Sequence, residues 1–201
     1  GNTGECTVFA EGYTWGPVVT ADIQIAGETA YTVPVAVIGS YSYLPSFPSA
    51  PSACSQAAKT DDGATQLEDD SLATLGANGI LGIGVFPQDC GPNCPASGDD
   101  DPYFVCTSSL SSSCTTTSQS VQNQVQNPVA LFTSTGDNNG VQIQLPSISA
   151  SGATTVSGVL IFGIGTQANN GLESAQVLVA DSGYGDITTS FNGHAYTDAS
   201  F

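Results

Sequence analysis

The side chains able to do chemistry in this chain are few, and almost all of them are acids. Among 201 residues there are 18 Asp and Glu, one Lys (Lys59), no Arg and one His (His194). Two acidic groups have a spacing that invites a cation. Asp99-Asp100-Asp101 offers three hard oxygen donors of the kind calcium takes, but adjacent side chains of an extended segment point in alternating directions and do not converge. The run therefore reads as a solvated loop. Asp137-Asn138-Asn139 carries a faint calcium-loop pattern, yet the Asn139-Gly140 step between two apolar runs is the stronger signal, that of a hairpin turn. His194 can in principle act as a base for one of the many serines. No G-x-S-x-G elbow accompanies it, and beside Asn192-Gly193 it reads as an exposed turn residue. Lys59, in a polar loop, reads as solvated.

Six cysteines in a chain without Met or Arg point to an oxidising compartment, hence a secreted, cell-surface or periplasmic protein. Cys90 with Cys94 and Cys106 with Cys114 are local pairs that can close small loops, which leaves Cys6 with Cys54. Proximity guides this pairing, because six cysteines admit fifteen connectivities. Zinc is disfavoured: the Cys90-to-Cys94 spacing has no matching second pair, and His194 lies far along the chain. Neither a metal nor a cofactor is expected.

A formal charge of −17 argues against nucleic acid, since nothing can replace the counterions around phosphate. An anionic membrane surface repels the chain for the same reason. No apolar run reaches 18 residues, so no membrane-spanning helix is expected. The chain opens without a basic segment followed by an apolar one, so any export signal is expected to lie upstream or to have been removed.

Positioning falls to β-strands. Thr7–Ala10 and Val18–Ala26 read as strands around a turn-rich tip, Glu11–Pro17, that carries Tyr13 and Trp15, and Tyr31–Ile38 reads as an edge strand because of Pro34. Residues 39–71 and 87–116 read as long loop excursions, the first pinned by Cys54. Gly79–Gly84 and Gly158–Gly165 are apolar runs bounded by glycines, read as buried core strands. Neither has the lysine that a phosphate-binding loop requires. Thr117–Asn127 is the helix candidate, with Val121 and Val125 one turn apart and Pro128 as its stop. Val129–Phe132, Val141–Leu145, Ala175–Ala180 and Ile187–Phe191 read as strands. The first two are paired across the Asn139-Gly140 turn and the last two across the turn at Asp181–Asp186.

Several of these stretches, in this order, resemble the pepsin-like aspartic peptidases. Phe9–Gly27 looks like their flap hairpin, and Asn78-Gly79-Ile80-Leu81-Gly82-Ile83-Gly84 looks like their Asp-Gly-Ile-Leu-Gly-Leu-Gly segment with Asn78 in place of the aspartate. Gln126–Phe132 resembles the stretch leading into the strands between the lobes, and Gly158–Gly163 their Gly-x-Leu-x-Phe-Gly strand. Glu11–Pro17, Gln88–Gly91 and Phe162–Gln167 resemble, more closely, an uncharacterised family of secreted bacterial proteins distantly allied to that fold. The resemblance implies an all-β, pepsin-like sandwich or partial barrel, a single domain over residues 1–201 with residues 1–38 as flap-like hairpin and strands. One short helix and disulfide-pinned loops complete it. Phe9, Tyr13 and Trp15 become a flap-like binding tip.

It implies no catalytic residue within this chain. Aspartic catalysis needs two carboxyl groups sharing one proton. The family's two Asp-Thr/Ser-Gly turns would fall before Gly1 and after Phe201. The single Asp-Ser-Gly, at Asp181, follows the glycine-bounded run instead of preceding it and reads as a hairpin turn. The expected function is a secreted, non-catalytic β module, structural or self-associating, with open sheet edges that a second copy or a partner strand can fill. The rivals are the central part of an aspartic endopeptidase completed by flanking segments, and a carbohydrate- or peptide-binding domain using the Tyr13/Trp15 tip.

Overall fold

The computed structural model describes residues 2–9, 12–39, 47–57, 67–91, 102–183 and 185–199, with the side chains of 56, 57 and 198 left aside. The described chain is mostly β. Its strands are β1 (Asn2–Val8), β2 (Gly12–Ile25), β3 (Glu28–Ala36), β4 (Leu67–Glu68), β5 (Tyr103–Cys106), β6 (Cys114–Thr116), β7 (Val141–Gln144), β8 (Val159–Phe162), β9 (Ile187–Phe191) and β10 (His194–Ala199). Two short α-helices, α1 (Ser52–Ala57) and α2 (Leu72–Leu75), interrupt them. Six strands make one sheet in the order β3-β2-β1-β5-β6 with β4 parallel to β2, and two antiparallel pairs, β7/β8 and β9/β10, stand as separate sheets.

The backbone groups into two compact units. The first comprises Gly1–Ala21, Pro34–Gly82 and Gln88–Gln126, and the second Asp22–Val33, Ile83–Pro87 and Asn127–Phe201. In the first unit the pleat sorts side chains by parity. Residues directly opposite one another share a face, so Cys6 opposite Trp15 and Gly4 opposite Phe104 build the apolar face. There Trp15 is fully buried, stacked on Phe47 at 5.6 Å and edge-on to Phe104 at 5.5 Å between ring centres. Its Nε1 donates to the Pro48 carbonyl at 2.9 Å, which removes the cost of burying that polar group. Residue 4 must be Gly because a Cβ there would stand 2.5 Å from the Trp15 ring. A disulfide from Cys6 to Cys54 ties α1 to β1, and another joins Cys106 to Cys114 across β5 and β6. Cys90 is also disulfide-bonded.

In the second unit Ala30, Val33, Val129, Phe132 and Ile187 are buried, and Phe132 meets Phe162 edge-on at 5.0 Å. Asn192 and Gly193, both with positive φ (50° and 79°), make the tight turn from β9 to β10.

Several expectations are overturned. Gly79–Gly84 is not a core strand: it has no ladder partner among the described residues, Ile80 is 55% exposed, and a Cβ on Gly79, Gly82 or Gly84 would meet nothing within 4 Å. Glycine at every second or third position adds entropy cost and removes the side chains that would pack. Thr117–Asn127 forms only a single 3-10 turn, Val121–Asn123, while the helices lie at α1 and α2. With two valines there is little apolar face to bury, and its backbone serves other partners: Val125 O accepts from Asp89 N at 3.1 Å, and Gln126 N donates to Pro34 O at 3.2 Å. Val129–Phe132 is likewise not a strand. Pro128–Leu131 is a 3-10 turn capped by Asn127, whose side chain accepts from Val129 N at 3.0 Å. Consequently β7 pairs with β8, while β9 pairs with β10 and not with Ala175–Ala180, which forms no strand.

Candidate functional site

The face of the first unit opposite Trp15 holds its chemistry. Glu5 on β1 lies directly across from Tyr103 on β5, so the register that hides Trp15 below places a carboxyl and a phenol together above. Glu5 is 5% exposed and Tyr103 fully buried. The segment carrying Asp89 closes over them: Asp89 N donates to Val125 O, and Gln88 bridges Gln126. Tyr103 Oη donates to Asp89 Oδ1 at 2.7 Å and accepts from Val125 N at 2.6 Å. Asp89 and Thr7 are the polar side chains that act on the Glu5 carboxyl.

Burial pushes the Glu5 carboxyl well above its ordinary value, the hydrogen bond to Asp89 and the Asp89 charge push it further, and Thr7 pulls weakly back. Burial thus favours the neutral form of Glu5, while Asp89 is exposed. Burial, then the charges of Glu5 and Asp89, raise the Tyr103 phenol as well. Nearby, Gln124 is buried, its Nε2 donating to Gly91 O and Gln119 O, both at 3.1 Å, while its Oε1 has no partner.

This is a proton-holding latch. Tyr103 ties β5 to the 88–91 segment through Asp89 and to the 124–126 segment through Val125, with Glu5 opposite it on β1. The latch sets the buried Glu5 carboxyl under the influence of a second carboxyl, that of Asp89. Of the two, only Asp89 is exposed. No local signal marks Glu5: extending the alternation of β1 back to Asn2 sets it with Thr3 and Thr7 on the face opposite Cys6, and its burial there depends on segments distant in the chain.

The proposed binding tip is not a tip. Tyr13 and Trp15 lie inside β2, and both are buried, because Trp15 supplies the centre of the apolar core. Tyr13 Oη donates weakly to Glu68 Oε2 at 3.4 Å, and burial with the Glu68 charge pushes its phenol up to about 12. Phe9 alone of the three is exposed, just beyond β1. Glu11, Lys59, Cys94 and Asp99–Asp101 lie outside the described residues.

In the second unit the polar motifs bind one another. Asn139 Oδ1 accepts from Ile164 N at 2.7 Å and its Nδ2 donates to Ile164 O at 2.9 Å, which zips the start of β7 to the end of β8. Asp137 takes hydrogen bonds from Ser134 and Gln167, so its oxygens serve the turn and not a cation. Buried Asn170 accepts from the backbone of Thr166 and Gln167 and donates to Phe162 O at 3.2 Å. Asp181 receives Gly183 N at 2.7 Å and Asp186 N at 2.8 Å on its two oxygens, as a turn-forming aspartate does. His194 is exposed at the start of β10. Among the described residues no group of His, Cys, Asp and Glu is placed to hold a metal ion, and no helix is long and apolar enough to cross a membrane.

What the second unit leaves open is apolar. Ile143 on β7 is 63% exposed and Val159 on β8 57%, with Leu145 and Leu160 beside them. A search of curated proteins and a search of solved structures each found no match. A family model does match, over residues 1–201, and the chain thus belongs to the family described as "Protein of unknown function (DUF3443)".

Proposed function

We propose that this chain is a secreted, non-catalytic β module, structural or self-associating, on a scaffold related to the pepsin-like aspartic peptidases. The observation that carries the reading is the β7/β8 pair. A two-stranded sheet is marginal in water by itself and gains stability from a third strand or a covering layer, yet Ile143, Leu145, Val159 and Leu160 are exposed. An added strand satisfies both the open edge and the apolar surface. The disulfides Cys6–Cys54 and Cys106–Cys114 support an oxidising, extracellular setting.

The same open sheets favour one second reading. In the central part of an aspartic endopeptidase, adjoining segments of the same polypeptide would supply both the missing strands and the two Asp-Thr/Ser-Gly turns. Sedimentation velocity of the 201-residue chain from about 1 to 200 μM separates the two. Concentration-dependent association is expected. A strict monomer, joined with pepstatin-sensitive proteolysis at acid pH by a longer natural chain, would replace the first reading with the second. The burial of Tyr13 and Trp15 speaks against the carbohydrate- or peptide-binding alternative.

A further inference from the structure

We infer that the module self-associates through the free edge of β7, which pairs antiparallel with β7 of a second copy to give a four-stranded sheet β8-β7-β7-β8. This rests on the self-association reading and specifies its site. The hydrogen-bond phase identifies the edge. Gly163 N donates to Gly140 O at 2.9 Å, and these two glycines continue the register in which Gln142 faces Ile161 and Gln144 faces Val159. In an antiparallel ladder such bonded pairs alternate with non-bonded ones. Gln142 and Gln144 therefore spend their backbone groups on β8, and the N–H and C=O of Val141 and Ile143 point outward. No further strand pairs with β7 among the described residues.

Charge argues for a second copy. Two chains of −17 repel wherever carboxylates face each other. Residues 138–172, which contain both strands of this sheet, carry no Asp, Glu, Lys, Arg or His. The devices that usually protect an edge, a charged side chain or a proline within the strand, are absent from Val141–Gln144. The sequence is also self-complementary. Pairing β7 with itself about Gln142 sets the outward groups of Val141 against those of Ile143 in the other copy and places Gln142 beside its own counterpart. Opposite residues share a face, so Val141, Ile143, Leu160 and Phe162 of both copies form one apolar surface, with Gln142 and Gln144 on the other. The arrangement is isologous and closes at two chains.

Two substitutions test it by sedimentation velocity and hydrogen exchange on the whole chain. Ile143→Pro removes an outward N–H and spares the β7/β8 ladder, and it should weaken association at least about tenfold with the far-ultraviolet spectrum unchanged. Gln142→Glu sets like charges opposite each other on the symmetry axis. It should weaken association several-fold in about 20 mM salt and recover in about 500 mM. In the native chain, association should tighten with salt, and the Ile143 amide should gain protection only as concentration rises. Association unaffected by both substitutions would overturn the β7 edge while leaving self-association standing. A native chain that is monomeric at every concentration would overturn both, and concentration-independent protection of the Ile143 amide would assign the edge to another segment of the same chain.

Discussion

Replacing Glu5 with Gln should make this protein more stable at neutral pH and leave it nearly unchanged in acid. Burial is the main reason that the Glu5 carboxyl keeps its proton, with the hydrogen bond to Asp89 and the Asp89 charge adding to it; in the unfolded chain it titrates near 4.5. A carboxyl raised on folding binds its proton more tightly in the folded state, so between its unfolded and folded values the folded chain carries up to one proton more. The stabilisation is whole below pH 4.5 and is lost as pH rises through the folded value, at up to about 1.4 kcal/mol per pH unit. For a chain of this length that slope is roughly 3–6 °C in Tm per pH unit. Gln has no proton to lose, and its amide can still donate to Asp89. The measurement is urea unfolding followed by tryptophan fluorescence from pH 4.5 to 8.5; the only Trp, Trp15, lies in the same unit as Glu5. Subtracting wild type from variant cancels the other acids. The gap should start near zero, grow with pH in favour of the variant, and level off above the folded value. Parallel curves, or a gap of the opposite sign, would show that Glu5 is not held neutral and would remove the latch.

Two further outcomes follow from the geometry. The Cys6–Cys54 bridge closes a separation of 48 residues and Cys106–Cys114 one of 8, so chain entropy assigns about 4 kcal/mol to the first and about 2.5 to the second. Thermal melts of the two paired Cys→Ser variants should therefore show the larger drop for the Cys6/Cys54 pair, and equal drops would contradict the assignment. Thr32 sits in β3 with φ of 54°, a costly value for a β-branched residue, and its N–H is held by Asp22 Oδ1 at 2.9 Å. Thr32→Asn should raise stability by about 0.5–1 kcal/mol because Asn tolerates that backbone region, and a loss of stability would mean that the Thr32 side chain matters more than the strain.

The candidate site was legible only in pieces. Local chemistry identified the turns correctly where side chain and backbone agree: Ala26-Gly27, Asn192-Gly193 and the turn closed by Asp181. The two valines of 117–127 and the run at Gly79–Gly84 are different: apolar content implies burial only where a packing or ladder partner exists, and neither segment forms part of a strand ladder among the described residues. Glu5 and Asp89 carry no motif linking them, being far apart in the chain.

By itself the sequence determined the acidic character, the predominance of β-structure and the abundance of short turns, since each depends on composition or on residues next to one another. The tertiary structure alone decided that Trp15 is a core residue and not a binding tip, that β7 pairs with β8, and that a glutamate is buried opposite Tyr103. Those outcomes depend on strand register. A shift of one residue exchanges the two faces of a sheet, and nothing local to β1 fixes whether Glu5 or Cys6 faces the aromatic core until β2 and β5 are in place.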